Sequence, residues 1–432
     1  MLDLYHLFLG GILLGLAILI LFISLKKFEF AIILIFISPL LSSIISFYTG
    51  NSIADQEEAG IGSIVRISLL IFAGSIGLIK YIQYLMKDQG KIPLQFIFLG
   101  IFIIFALVSA YYSLDQRYTL IRSLSFIALY FFLLGFYHWL DQHHRLLTTF
   151  RIFYITITVV IVLNLFAFVI SPTKVWGIDA EFRFQGIFDN PNAIGSFGMI
   201  CYPLLLWALY RSNRYHKLIP IILLSILAIM HILSGSRSSI LVSMIGICLL
   251  LILQKKMVKL VTVFAVLFIA LFLIIQIKPA SFQRQEDRSI TDLTGREDFW
   301  KNAFILISER PYHGYGYSVG GKIWQDPRFY NPKISLWSGS VRSSLHNGYL
   351  SVAIGLGMPA LILWIIILIL PLYKSLKNKT NHLNPYIITM LAMILIINFV
   401  ETEITPGTNV SAIIFWFGWT IAGKMYPPEL LN

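Results

Sequence analysis

Apolar residues fall in blocks about 20 residues long, separated by short polar or charged segments. Such a block spans a bilayer core of about 30 Å as an α-helix, because each residue advances the helix by about 1.5 Å. The blocks lie at 5–25, 28–48, 64–86, 92–112, 118–140, 152–171, 192–210, 218–235, 236–254, 258–277, 347–372, 386–404 and 409–424. The first pair is separated only by Lys26 and Lys27, and the pair near 235 is equally close. The pattern therefore predicts twelve or thirteen transmembrane helices.

Charge divides the connections between these helices into two alternating sets. One set is basic and almost free of acid; it holds Lys26/Lys27, Lys87/Lys91, His143/His144/Arg145, Arg211/Arg214/Lys217, Lys255/Lys256/Lys259 and Lys374/Lys377/Lys379. Because Lys and Arg concentrate on the cytoplasmic side, this set is predicted to be cytoplasmic. The other set, predicted to face the periplasm or exterior, holds Asp55/Glu57/Glu58, residues 172–191, residues 278–345 and Glu401/Glu403. Thirteen spans place the N-terminus outside, and twelve place it inside.

Composition supports the same class. Of the 432 residues 57% are hydrophobic and 12% are charged, about half the charge of a soluble domain. The chain is therefore predicted to be an all-α integral membrane protein. Its net charge of +12 belongs mainly to cytoplasmic helix ends, so no nucleic-acid partner is expected. Cys201 and Cys248 lie in apolar blocks, which favours small core residues over a disulfide or a metal site. No cleavable signal pattern is apparent, so the first helix is expected to remain as an anchor.

One predicted outer connection is unusually long. It covers 68 residues, from Lys278 to Leu345, with ten Lys/Arg and seven Asp/Glu. A loop of this length is exempt from the charge rule, and its many aromatic residues argue against a disordered linker. Residues 294–309 are typical of a short amphipathic helix that Thr294 caps, with Pro311 just beyond its end. The predicted domain organisation is therefore transmembrane helices 1–10 over 1–277, a periplasmic catalytic loop with short helices over 278–345, and C-terminal transmembrane helices over 346–432.

Arg237 is a charged residue inside an otherwise apolar stretch. It follows Gly235 and stands between Ser236 and Ser238. A charge at membrane depth costs a few kcal/mol unless it pairs or faces water. One interpretation is a turn between two helices with Arg237 directed into an outward cavity. The alternative is an arginine that snorkels at a helix end or pairs with an intramembrane acid.

Two further candidates belong to the long loop. Arg296 and Trp300 share a helix face, so that Trp300 is placed to anchor the helix in the membrane interface while Arg296 reaches a site; the alternative is a solvated arginine. His346, followed by Asn347, lies where the loop re-enters the membrane. A histidine there can accept a proton from a hydroxyl or orient one; the alternative is a structural histidine at a helix start. His231 and His313 are weaker candidates.

The shorter outer loop supplies the remaining candidates. Arg183 precedes the segment GIFDNPN, in which Asn190, Pro191 and Asn192 predict a turn and a helix start. Helix N-termini bind anions. The alternative is a purely structural connection from the loop into the helix.

These candidates lie on the same predicted outer side. Three arginines and one candidate base suit a pyrophosphate ester better than a carboxylate or a metal, because arginine holds phosphate oxygens in two-point contact. The outer loops contain no acidic cluster with metal-ligand spacing, and the chain has no Walker sequence or nucleotide-binding glycine fingerprint. No cofactor is expected. Since ATP and nucleotide sugars are cytoplasmic, group transfer on this face requires a preactivated substrate such as a lipid-linked pyrophosphate.

The order of the motifs resembles a known family. GxFxNPNxxG (186–195), SGSRSS (234–239), GRxxxW (295–300) and RPYHGYGY (310–317), leading to HNGYLSVAIGLG (346–357), are similar to the O-antigen ligase and polymerase family. The resemblance covers roughly residues 180–360 and the helix count. It implies a GT-C-like fold and a metal-independent, inverting glycosyltransferase that takes glycan from undecaprenyl pyrophosphate at the outer face of the bacterial inner membrane.

The resemblance also implies roles for residues. Arg237 and Arg296 match positions that contact the pyrophosphate, and His346 matches the acceptor or leaving-group end. Arg183, Asn190, Asn192, Asn347 and Trp300 are expected to bind substrate. The expected acceptor is lipid A–core, as in lipopolysaccharide biosynthesis, or another glycan, and other polysaccharide-assembly membrane proteins are possible partners. A repeat-unit polymerase is the alternative within the family, and a flippase or transporter of polyprenyl-linked sugars is the alternative from another class.

Overall fold

The computed structural model describes residues 26–49, 61–87, 90–141, 143–177, 183–188, 190–256, 296–320, 322–325, 345–377, 383–402 and 409–424, with a few single residues beside them. The described part is almost entirely helical. Its α-helices are α1 (Glu29–Thr49), α2 (Ile61–Leu85), α3 (Leu94–Val108), α4 (Gln116–Trp139), α5 (His143–Ile170), α6 (Pro191–Arg211), α7 (Leu218–Leu233), α8 (Arg237–Leu253), α9 (Arg296–Glu309), α10 (Gly348–Lys377), α11 (Asn384–Ile397) and α12 (Val410–Ala422). The fold class predicted from composition, an all-α membrane protein, is confirmed.

The helices follow the predicted blocks closely. Eight of the described helices are long and apolar enough to cross a membrane, and α8, α11 and α12 are shorter apolar helices. The predicted turn near 235 is present, since α7 ends at Leu233 and α8 begins at Arg237. The predicted spans 5–25 and 258–277 lie almost entirely outside the described residues, so the choice between twelve and thirteen helices stays a prediction. α5 begins at His143, earlier than predicted, so basic residues form its first turn.

The two sets of connections gather at opposite ends of the bundle. At the basic end, Lys374 donates a hydrogen bond to Gln95 (3.2 Å) and Lys424 donates one to the carbonyl of Tyr137 (2.6 Å). At the other end, Tyr112 donates to the carbonyl of His313 (2.8 Å). This grouping is the one that the alternating charge pattern predicts. We call the second end the outer end, following the predicted topology.

Two short strands of two residues each form a hairpin in the shorter outer loop. Strands β1 (Trp176–Gly177) and β2 (Arg183–Phe184) pair antiparallel, with Trp176 opposite Phe184. The apolar spacing of this loop predicted no strand. Asn164 of α5 fixes the hairpin, because its side-chain oxygen accepts a hydrogen bond from the backbone of Ile187 (3.0 Å).

The predicted helix in the long loop is confirmed as α9, with Pro311 just past its end; the predicted cap Thr294 lies outside the described residues. Helix α9 packs on the first part of α10 through a small apolar cluster that includes Ala303, Leu306 and Ile354. Trp300 is half-buried against this cluster. The exposed face of α9 carries Phe304 and Ile305 instead.

Helix α10 is broken at Gly357, whereas the sequence predicted an unbroken span over 347–372. Gly357 has φ 83° and ψ 174°. Pro359 has no N–H to donate to the carbonyl of Gly355, as an unbroken helix would require. Instead, the carbonyls of Ile354 and Gly355 accept hydrogen bonds from the backbone of Tyr315 (2.9 Å) and Gly316 (2.8 Å). The segment 311–316 thus replaces the missing turn of α10.

Candidate active site

The candidate site is recessed below the outer end of the longer helices. Helices of 13 residues (α12) and 24 residues (α4) are about 20 Å and about 36 Å long. Lys424, just after α12, donates a hydrogen bond to the carbonyl of Tyr137 near the basic end of α4. The C-terminal ends of the two helices therefore lie at a similar level. Because α12 is shorter, its outer end lies roughly 16 Å below that of α4. The described residues between α11 and α12, among them Asn398 and Glu401, therefore lie within the outer half of the bundle.

A helix break lies beside this connection. Ser234, Gly235 and Ser236 separate α7 from α8, and Gly235 has a φ of 58°, which suits glycine. The guanidinium of Arg183 donates to the carbonyl of Ser234 through Nε (2.6 Å). Arg183 therefore satisfies a carbonyl that the break removes from the helix ladder.

A chain of polar contacts then runs from Arg183 to His346. Nη2 of Arg183 donates to the side-chain oxygen of Asn192 (2.9 Å), and Nδ2 of Asn192 donates to Oε1 of Glu401 (3.1 Å). Oε2 of Glu401 lies 3.0 Å from Nδ1 of His346. The side chain of Glu401 is 8% exposed, so its charge needs these partners. We call Arg183, Asn192, Glu401 and His346 the outer network.

The backbone around His346 is held against the same connection. His346 has a φ of 48°, in the left-handed region that is unusual for a residue other than glycine. The amide of Gly348 donates to the carbonyls of Asn398 (2.9 Å) and Glu401 (3.2 Å). A Cβ on Gly348 would stand 2.2 Å from the side chain of Asn398, so only glycine permits this approach. The positive φ marks a strained residue held in place by its surroundings, a common property of functional sites.

The structure gives two of the other predicted residues capping contacts. The side chain of Asn190 accepts from the amide of Ala193 (2.9 Å) and caps α6, with Pro191 in its first turn, as the sequence predicted. Asn347 caps α10, because its side-chain oxygen accepts from the amides of Tyr349 (3.0 Å) and Leu350 (2.9 Å). Their expected contact with substrate stays a prediction.

The two arginines expected to bind pyrophosphate begin two helices. Arg237 is the first residue of α8, directly after the break, and is half-buried. Arg296 is the first residue of α9, and its side chain lies outside the described residues. The chain thus brings together Arg183, Asn192 and His346, with Arg237 beside the same break.

The other histidine candidates stand apart from the outer network. His231 is 2% exposed in α7; its Nε2 lies 2.8 Å from the hydroxyl of Ser239 and its Nδ1 lies 3.3 Å from that of Tyr202. The contact with Ser239 joins the two sides of the helix break, and the contact with Tyr202 joins α7 to α6. His313 lies in the turn after α9 and is exposed. Of the three, His346 is the one that contacts Glu401.

Glu401 is the residue that sequence reasoning missed. In the charge pattern, Glu401 served only to assign its loop to the outer side. Its signal was its position: it follows an apolar span, and an ionisable residue at membrane depth indicates a functional partner. Asn164 was also missed, because an asparagine inside an apolar span resembles any other polar interruption.

Comparison with known proteins supports the motif resemblance. Residues 220–365 match the family model described as O-antigen ligase. This region contains four of the five motifs quoted above, including the helix break, the start of α9 and His346. This region is therefore similar to the O-antigen ligase family, and the resemblance that the motifs indicate is confirmed.

A relative from Haemophilus influenzae (strain Rd), described as an uncharacterized protein, is 30% identical over 140 residues. The alignment covers 32% of this chain and 34% of the relative. The chain thus spans about a third of the length of the curated relative it matches.

Proposed function

We propose that the protein transfers a glycan from undecaprenyl pyrophosphate to an acceptor hydroxyl at the outer face of the inner membrane. The observation that carries the proposal is the outer network. Motif residues far apart in sequence, Arg183 and His346, meet through Asn192 and a buried carboxylate, beside the helix break that bears Arg237. The match to the O-antigen ligase family model supports glycosyl transfer in general, and the donor and acceptor are part of the proposal.

His346 is the proposed general base. Glu401 accepts the proton of Nδ1, and a neutral imidazole with Nδ1 protonated carries its lone pair on Nε2. Nε2 is therefore the nitrogen that accepts the acceptor's proton. The buried carboxylate also stabilises the imidazolium that forms, as in other pairs of a histidine and a carboxylate.

Arg237 and Arg296 are the proposed pyrophosphate contacts. Arg237 stands at the N-terminus of α8, where the helix dipole adds partial positive charge. A guanidinium at a recessed, poorly solvated site stabilises developing negative charge more strongly than one in water. Because the arginines supply this charge, the proposed reaction is metal-independent.

The acceptor oxygen attacks the anomeric carbon, the bond from that carbon to the pyrophosphate oxygen breaks, and undecaprenyl pyrophosphate leaves with the electron pair. The acceptor's proton passes to Nε2 of His346. Attack opposite to the leaving group inverts the anomeric centre. A lateral opening between helices would admit the lipid, and the 278–345 loop would cover the polar site.

An O-antigen ligase that transfers the finished glycan to lipid A–core or a similar acceptor is the preferred form of the proposal. A repeat-unit polymerase uses the same donor and differs in the acceptor. Glycan ladders from a deletion strain separate the two activities. Lipid-linked chains that are intact but not attached to core indicate a lost ligase, whereas single-repeat products indicate a lost polymerase.

Purified protein with labelled lipid-linked glycan tests the proposal. Transfer in detergent, where transport cannot be observed, excludes the flippase alternative. We expect Arg237→Ala and Arg296→Ala each to lower transfer by about 100-fold or more, as for other groups that stabilise transition-state charge. Full transfer by both variants would remove the arginines from the mechanism.

A further inference from the structure

The outer network has a direction, because each hydrogen bond determines the next. The guanidinium of Arg183 only donates, so the Asn192 atom that faces it at 2.9 Å is the carbonyl oxygen. The amide nitrogen of Asn192 must then face Glu401, and Oε1 of Glu401 must accept. The carboxylate is thereby left to accept at Oε2, where it meets Nδ1 of His346.

We propose that Asn192, oriented by Arg183, is a positioning residue that keeps Glu401 a pure acceptor and so sets the tautomer of His346. The inference rests on the proposed function for its catalytic consequence. It assigns Arg183 and Asn192 to the base rather than to the pyrophosphate. Neither residue contacts the reacting atoms in this role.

Both residues are held firmly enough to act in this way. Arg183 is fixed by its second bond, to the carbonyl of Ser234. Asn192 lies in the first turn of α6, directly after Pro191 and the capping residue Asn190. The hairpin, the break, α6 and the connection after α11 therefore hold one another through these two side chains.

Four of the described elements that meet at this point carry a charged or titratable group. Arg183 lies on the hairpin, Glu401 on the connection before α12, His346 on the re-entering segment, and Arg237 at the start of α8. The described start of α6 contributes Asn192, which is neutral. Replacing Asn192 by aspartate, which has the same shape, therefore removes the N–H donor that faces Glu401 and adds one negative charge.

Asn192→Asp is the discriminating variant. It keeps an oxygen for Arg183 but sets two carboxyl groups about 3 Å apart, and such a pair shares one proton. Because Arg183 favours the ionised form of the introduced carboxyl group, the shared proton resides on Glu401. Glu401 is then neutral and no longer stabilises the proton on Nδ1 of His346. When the proton leaves at higher pH, two negative charges favour the imidazolium. The active state requires an ionised Glu401 and a neutral His346, so both effects move it to more alkaline pH.

The rate of glycan transfer measured as a function of pH tests the proposal. Asn409→Ala is the matched control, because Asn409 caps α12 at the other end of the connection that bears Glu401. We expect Asn192→Asp to lower kcat at neutral pH by roughly 10- to 100-fold, the range found when groups that orient a histidine are removed. The acid limb of its pH–rate profile should move up by about one pH unit, and the KM for the donor should change little. Asn192→Ala should lower kcat without the alkaline shift, and Asn409→Ala should keep the wild-type profile.

A second measurement does not depend on activity. Diethylpyrocarbonate modifies neutral imidazole, and peptide mass spectrometry follows His346 and the exposed His313 separately. We expect the midpoint of His346 labelling to move to higher pH in Asn192→Asp while that of His313 is unchanged. If labelling shifts but the wild type transfers no glycan, the proposed function fails and the positioning role stands. If neither the rate profile nor the labelling shifts, the positioning role is wrong.

Discussion

Asp115 and Lys322 join the long loop to the outer end of α4. The carboxylate of Asp115 accepts from the amide of Tyr118 (2.8 Å) and from Nζ of Lys322 (2.6 Å). Partial burial raises the pKa of Asp115, but the hydrogen bonds from Lys322 and Tyr118 outweigh it, so the pKa lies below its usual value. The ammonium of Lys322 also lies over the ring of Tyr118, 4.4 Å from its centre.

This pair predicts that acid releases the loop. A carboxyl pKa that is lower in the folded state stabilises the fold at neutral pH, and this contribution disappears as pH falls from the ordinary value of 3.8 through the folded value. Limited proteolysis of residues 310–325 should therefore accelerate on acidification. In Asp115→Asn, which keeps the cap acceptor but has no charge, this part of the pH dependence should be lost. Identical pH profiles for both proteins would contradict the prediction.

At the residue scale, the sequence predicted the local contacts well. Asn190 caps α6 because an asparagine followed by proline is a strong helix-start signal, and His346 stands where the loop re-enters. It did not predict that Glu401 would contact His346, since 55 residues separate them. A pairing at that distance depends on the lengths of the intervening helices and on where α10 breaks. Hydrophobic spacing does not determine these details.

At the scale of elements, the break in α10 is the main departure from the predicted helices. An apolar run from 347 to 372 suggests one span, yet Gly355, Gly357 and Pro359 interrupt its hydrogen-bond ladder. Their effect depends on partners outside the helix, because the carbonyls of Ile354 and Gly355 need donors that residues 315 and 316 supply. Helix α11 ends at Ile397, earlier than the predicted block 386–404, although the apolar residues Phe399 and Val400 follow soon after. Helix α12 keeps the predicted bounds to within two residues.

Gly357→Ala tests the break. The backbone angles at Gly357 are essentially restricted to glycine and cost a substituted residue about 1–3 kcal/mol. The added Cβ would also stand 2.4 Å from the carbonyl carbon of Tyr312. We expect a clear fall in the thermal unfolding temperature in detergent, together with faster cleavage near residue 312.

Gly100→Ala in α3 is the matched control, because its added Cβ would meet only ordinary contacts, the nearest at 3.6 Å. Alanine is also favoured over glycine in a helix by up to about 1 kcal/mol. This variant should be as stable as the wild type or slightly more so. Equal losses in both variants would show that the break at Gly357 has no special requirement.

At the scale of the whole molecule, helices of unequal length create the site. Long helices such as α4 and α5 reach the outer surface, while α7, α8, α11 and α12 end below it and leave space for polar groups. Composition and charge alternation predicted the membrane class and the grouping of loops, because both follow from the solvent that each segment meets. They did not predict the recess, which depends on differences of a few helical turns between neighbours.

This arrangement suits a substrate that is part lipid and part glycan. The lipid would remain in the bilayer while the pyrophosphate reaches Arg237 at the start of α8, and the acceptor would approach from the outer side. The proposed base, His346, lies beside Glu401 of the connection between α11 and α12. In the proposed reaction, His346 therefore removes a proton as undecaprenyl pyrophosphate leaves.

The most direct measurement follows both products in one reaction. Purified protein in lipid nanodiscs is given labelled undecaprenyl-pyrophosphate-linked glycan and an acceptor, and transferred glycan and released undecaprenyl pyrophosphate are quantified together. We predict that the wild type forms them in equal amounts and that His346→Ala lowers both by about 100- to 10,000-fold, the usual contribution of a general base. Full transfer by His346→Ala, or transfer without release of the pyrophosphate, would contradict the account.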